Sequence, residues 1–198
     1  MKKENERKES IINSLRKSLA SSEKIVMSVM PEIPRPKLQE DTDPSVYFVE
    51  RFIGNGGAIV YSTTEDEIQN NLKTILNYYS LSKVKVCCFS KTLTQFFNSL
   101  GFSEISYVDA AEYCDVGIIP CESVISEDAV ALVVNEHKNF FMPKVMILFA
   151  FTSQVVFTWK EATVRMKAKY DKELPEQLIL VDSKNIASEK VFMMLNED

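Results

Sequence analysis

Short apolar runs alternate in this chain with amphipathic segments of ten or more residues, and that alternation limits most sharply what it can fold into. Residues 58–61, AIVY, read as a strand. Ile68, Leu72, Ile75 and Leu76 then form a stripe at helical spacing up to Tyr79, with Thr64 and Glu67 as a capping box at its start. Residues 83–89, KVKVCCF, read as the next strand, 92–100 as a helix ended by Gly101, and 105–108 as a short strand. Helices of this length between strands argue for parallel βαβ units. Runs apolar on both faces, 116–119 and 129–134, mark strands covered from both sides, hence interior ones. The expected fold is a single doubly wound α/β domain, a mainly parallel open sheet with helices on both faces.

The remaining segments follow by the same rules. Asp43-Pro44 starts a helix, with the acid as N-cap and the proline in the first turn, and Gly54-Asn55-Gly56-Gly57 ends it. Strand signals at 144–150 and 154–159 lie so close that the two are expected to run antiparallel to each other. A charged helix over 159–172, a strand over 177–181 and a terminal helix over 185–195 complete the domain. Upstream, Ile11, Ile12, Leu15 and Leu19 predict an amphipathic helix over 5–20, and Pro31, Pro34 and Pro36 an extended arm. Residues 1–42 are thus an N-terminal helix and arm, and 43–198 the α/β domain.

With 198 residues, 45% apolar and 26% charged, the chain has material for one substantial core. A net charge of −5 gives no electrostatic reason to expect nucleic acid or an anionic membrane as partner. No apolar run approaches the about 18 residues of a membrane span, and the charged start lacks the apolar core of a signal peptide, so the expected location is the cytoplasm. Cys87, Cys88, Cys114 and Cys121 have no paired metal spacing and read as buried thiols, and His137 is the single histidine. No bound metal, iron–sulfur cluster or other cofactor is expected. The five glycines do not stand between a strand and a helix as a dinucleotide fingerprint or a P-loop requires.

Polar residues beside the central strands carry the functional reading. Glu122, Glu127 and Asp128 are expected in one short polar turn between two apolar strands, and an ionised carboxylate tolerates burial only when paired or hydrogen-bonded. Glu127 is the candidate catalytic carboxylate, able to orient or deprotonate a ligand; the plainer alternative is a helix cap or a lysine pair. Glu122 and Asp128 are candidate ligand-binding residues beside it. Ser183 and Lys184, at a strand-to-helix junction, are the candidate anion holders, against the alternative of a capping serine and a surface lysine. The expected pocket lies between residues 122–128 and Ser183-Lys184 and takes a small anionic metabolite. His137, Lys138 and Lys144 read as loop residues able to add positive charge, and Asp115 as a turn or cap. Residues 140–151 are the most apolar region; at a sheet edge they would need a partner subunit, which leaves a homo-oligomer open.

Two segments resemble the LUD domain, the family of lactate-utilisation protein C. Residues 48–72, FVERFIGNGGAIVYSTTEDEIQNNL, look like its early helix, glycine turn and strand. Residues 114–135, CDVGIIPCESVISEDAVALVVN, look like its central motif of DVGI, AETG and an apolar strand. Weaker likeness continues through FFMPKVMIL, SQVVFTWKEA and PEQLILVDSKNIASE. The resemblance implies a fold similar to CoA-transferases and sugar-phosphate isomerases, with ligands outside the carboxyl ends of strands. It also implies a part in oxidising lactate to pyruvate alongside iron–sulfur proteins.

The departures are specific. Ser126, Glu127, Asp128 and Ala129 stand where the family often has AETG, so the glutamate remains while the hydroxyl and glycine are gone. Pro143 matches in the segment LLP..HI, but Met146 stands at its histidine. In GPSRTADIE, Ser183 and Lys184 match the serine and basic residue, and Ala187 stands at the aspartate. Three readings follow: a LUD-type component of organic-acid oxidation, a non-catalytic ligand-binding or scaffold protein, and a CoA-transferase-like enzyme with Glu127 as its carboxylate.

Overall fold

The computed structural model describes residues 9–14, 43–78, 84–108, 114–134, 143–170, 175, 177–184, 188 and 190–198. Among these the elements are α1 (Pro44–Gly54), β1 (Ala58–Ser62), α2 (Glu65–Tyr78), β2 (Val86–Cys88), α3 (Lys91–Ser99), β3 (Ser106–Tyr107), β4 (Val116–Pro120), β5 (Ser123–Ile125), β6 (Val130–Val134), β7 (Val145–Phe151), β8 (Val155–Val156), α4 (Trp159–Lys169), β9 (Leu178–Asp182) and β10 (Lys190–Asn196). A short helical segment at 9–14 precedes them, with Ile11 buried in the core and the Ser14 hydroxyl donating to Glu50 Oε1 at 3.2 Å. The proposed extended arm, His137 and Lys138 lie outside the described residues.

The α/β fold expected from the alternation is present. Six strands in the order β1-β10-β7-β4-β2-β3 form one sheet, and every pair in it is parallel. Period-two side chains divide it between two cores. Val145, Ile147 and Phe149 of β7 meet Ile68 and Leu72 of α2 and Leu93 and Phe97 of α3 on one face. Met146, Leu148 and Ala150 face the opposite core, which contains Phe48, Val49 and Phe52 of α1.

That second face carries more than helices, and here the structure adds a layer to the sequence reading. Strands β8-β5-β6-β9 form a second sheet, antiparallel except for the β5–β8 pair. Val124, Ala131, Val133, Val155 and Val181 of this sheet share the core with α1 and the large sheet. Ile125 and Val156 point outward under Ala162 and Trp159 of α4. Both runs expected to be interior strands are interior, β4 in the large sheet and β6 in the small one. The stretch 122–128 is not one turn, because β5 occupies its middle.

Two further expectations are corrected. The segment around 185–195 does not end in a helix: Lys190–Asn196 is a strand inserted between β1 and β7. Its run Val191 to Leu195 is apolar at every position, so it faces both cores, and parallel neighbours on each side satisfy its backbone. The signals at 144–150 and 154–159 do not pair with each other. A 3₁₀ turn, Thr152–Gln154, passes the chain from β7 in the large sheet to β8 in the small one, where β8 runs parallel to β5. Because β7 lies between β10 and β4, its apolar run needs no partner subunit to cover it.

The caps read from the sequence form as hydrogen bonds. Asp43 accepts from the Ser45 N–H at 2.8 Å. Thr64 accepts from the Glu67 N–H at 3.2 Å, while the Glu67 carboxylate reaches back one residue further, to the Thr63 N–H at 2.7 Å.

Candidate functional site

Crossovers in the large sheet use both faces. The chain leaves β2 through α3 on the face of α2, and leaves β4 through the small sheet on the face of α1. Strands β2 and β4 are neighbours, so a crevice opens at their carboxyl ends, as at the switch points of other open α/β sheets. A cleft of about 350 Å³ lies there. Ser90, Thr92, Leu93 and Phe96 from the start of α3 form one wall, Pro120 and Cys121 at the end of β4 the floor, and Phe149, Phe151 and Gln154 the other wall.

Each polar group of the cleft except one is held within the fold. Ser90 caps α3, its hydroxyl accepting from the Leu93 N–H at 3.3 Å. Gln154 ties β7 to β4, with Oε1 accepting from the Phe151 N–H at 2.7 Å and Nε2 donating to the Cys121 carbonyl. The turn bearing Gln154 is itself pinned, since Asp198 accepts from the Ser153 N–H at 2.9 Å and from the Thr152 and Ser153 hydroxyls, and Arg165 donates to the Ser153 carbonyl. The exposed Thr92 hydroxyl remains at the rim. Among the described residues no carboxylate, amine or imidazole lines the cleft.

Its one thiol is not poised to react. Burial, with the neighbouring Glu122 charge adding to it, pushes the Cys121 thiol up. Burial likewise raises Cys88, and burial together with Cys87 raises Cys114 to about 12. None of the four cysteines is in a disulfide, and all four are buried. We expect the native protein to leave all four thiols unmodified by an aromatic disulfide reagent at pH 8 and to react at all four once unfolded. A thiol that reacts at once in the native protein would contradict this burial. Because the raised values lie above the 9.0 of an unperturbed thiol, their contribution to stability is whole below about pH 9 and declines as pH rises towards 12.

The carboxylates singled out in the sequence lie around α4. Glu127 Oε1 accepts from the Trp159 N–H at 3.1 Å, and Asp128 Oδ2 accepts from the Trp159 indole N–H at 2.6 Å, both at the helix N-terminus, where negative charge is favoured. Glu122 stands at the far end of β5 and pairs with Lys169 in the last turn of α4 at 2.6 Å. The three residues thus hold the two ends of one helix and do not converge on one pocket. Ser183 donates to the Asn55 carbonyl at 3.2 Å, and the Lys184 N–H donates to Asp182 Oδ1 at 3.0 Å while its side chain is exposed. Asp182 is in register with Val130, which puts Ser183-Lys184 at the same end of the small sheet as Glu127 and Asp128, and away from Glu122. Asp115, expected to make a turn or cap, ties neighbouring strands together, its Oδ2 accepting from the Lys85 N–H thirty residues away at 3.1 Å.

The cleft residues escaped the sequence reading for physical reasons. Phe149, Phe151 and Pro120 look like core, and Gln154 is a lone amide between two apolar runs. Only Ser90, an N-cap ahead of Leu93, carried a local signal. Among the described residues no group of three or more His, Cys, Asp or Glu side chains could hold a metal ion, and no helix is long and apolar enough to cross a membrane.

No protein-family model and no curated protein matches the sequence. The fold does have a match: the crystal structure of a DUF162 family protein from Deinococcus radiodurans is similar at a TM-score of 0.58 and 14% identity, over 76% of this chain and 94% of that one. DUF162 is the LUD domain family. The chain therefore shares its fold with a LUD-family protein.

Proposed function

We propose that this protein is a ligand-binding protein built on the LUD fold, and that the cleft at the β2/β4 switch point holds a small molecule by burial. The observation that carries this reading is the lining of the cleft. It has the size of a small-molecule site, stands where such folds take ligands, and presents no charged side chain among the described residues. The Gln154 tie and the Asp198 pins keep it formed without a ligand, which lowers the ordering cost of binding.

A second reading is favoured by the fold likeness alone. In it the chain is a component of the oxidation of an organic acid, lactate to pyruvate, and works with iron–sulfur partner proteins. Its anionic metabolite sits near Glu127, Asp128, Ser183 and Lys184, with Glu127 orienting a hydroxyl and Lys184 neutralising the acid. Glu127 Oε1 already accepts from the Trp159 N–H, so the other carboxylate oxygen would face the hydroxyl.

A thermal-shift screen of metabolites separates the two. The hit is then titrated against three variants. On the first reading Thr92→Trp, which fills the mouth of the cleft from an exposed position, weakens binding more than about tenfold by steric exclusion, and Lys184→Ala and Glu127→Gln bind like the parent. A loss of about tenfold or more in Lys184→Ala, with Thr92→Trp unaffected, would establish the anion site instead.

A further inference from the structure

We infer that the ligand of the cleft is a neutral, planar aromatic compound of one or two rings, seated among Phe96, Phe149 and Phe151. This rests on the cleft being the binding site, as argued above. Three features of the cavity narrow the chemistry.

The first is charge. Among the described residues no ionised side chain lines the cavity, and its amide is engaged at both ends, so a phosphate, carboxylate or ammonium brought inside would lose water and find no counter-charge among them. The second is size. About 350 Å³ lies at the small end of ligand cavities and suits a guest of one or two rings.

The third is the arrangement of rings. Phe149 stands edge-to-face with Phe97 at 5.6 Å and 85°, edge-to-face with Phe151 at 5.5 Å and 86°, and tilted to Phe96 at 6.3 Å and 60°. Phe97 is fully buried and fixes the orientation of Phe149 from behind. Phe151, at the mouth, is 36% exposed, so this chain of ring contacts ends on an aromatic surface open to a guest. A flat ring entering the cleft extends that pattern, and an aliphatic guest of equal volume makes the same apolar contacts without the ring-quadrupole attraction. At the rim the free Thr92 hydroxyl offers one hydrogen bond, which suits a single hydroxyl or carbonyl substituent on the ring.

The test uses the full chain and three probes of similar size: 2-naphthol, its anionic counterpart 2-naphthoate, and decahydro-2-naphthol as the aliphatic one. Affinities are read by isothermal titration and by saturation-transfer NMR. We expect 2-naphthol to bind on the order of tenfold more tightly than either of the others, and Phe151→Leu to remove most of the preference over the aliphatic probe. Phe151 is exposed, so this variant is expected to fold. Equal or tighter binding of the aliphatic probe or the anion overturns the aromatic assignment and leaves the cleft as the binding site. If no probe binds the parent, or those that bind do so unchanged in Thr92→Trp, the assignment and the cleft reading fall together.

Discussion

A chain that stops at residue 189 is expected to lose cooperative unfolding altogether. Strand β10 is the last element of the described structure, yet it lies second in the large sheet, pairing along five residues with β1 and along seven with β7. Val191, Met193 and Leu195 fill one core and Met194 the other, none more than 2% exposed. Four such side chains, at about 1.5–3 kcal/mol each, already amount to about 6–12 kcal/mol, comparable to the whole stability of a domain of this kind. Removal also leaves the facing edges of β1 and β7 without backbone partners. Urea unfolding followed by circular dichroism, with amide dispersion in NMR as second probe, provides the check. Had the segment been the terminal helix read from the sequence, packed on one face only, the truncated chain would keep a sigmoidal transition at lower urea.

Gly57→Ala carries the next largest expected effect, a loss of about 3 kcal/mol. A methyl group at position 57 would stand 2.2 and 2.4 Å from two ring carbons of Phe52 and 2.8 Å from the Ser183 Cβ. Phe52 has nowhere to retreat, since it is fully buried and stacked on Phe48 at 5.2 Å. The turn after α1 therefore admits the end of β9 only because residue 57 lacks a side chain. Gly54→Ala is the control, because its methyl would meet nothing within 4 Å. A midpoint shift in urea for Gly57→Ala no larger than that of the control, at unchanged slope, would show that the junction yields more easily than its geometry indicates.

Much of the fold was legible because its signals are local. The stripe from Ile68 to Leu76, the Thr64 and Asp43 caps and the glycine turn after α1 each depend on residues within a few positions of one another. Strand β10 was not legible for the converse reason. Its residues Phe192, Met193, Met194 and Leu195 show neither alternation nor a helical face, and only the β1 and β7 edges on either side settle the matter. The small sheet was hidden in the same way: β5 and β8 are three and two residues long and acquire meaning by pairing across more than thirty positions. For the site, charge drew the eye to Glu122, Glu127 and Asp128, whose partners all lie in α4. The cleft is an outcome of strand order, which no single segment encodes.

One residue holds a backbone shape that its own side chain disfavours. Ala129 has a φ of 54°, in the left-handed region that glycine occupies at no steric cost. Its neighbours impose this: the Ala129 N–H donates to the Ser126 carbonyl, the Ser126 hydroxyl to the Pro44 carbonyl, and the Glu127 N–H to the Phe157 carbonyl. The backbone strain costs about 1–2 kcal/mol, while the methyl, fully buried, returns about 0.8 kcal/mol and restricts the unfolded chain as glycine would not. The methyl thus offsets only part of the strain, and the bend into β6 is held by hydrogen bonds to Pro44 and Phe157, residues distant in sequence, and not by a glycine at the bend itself.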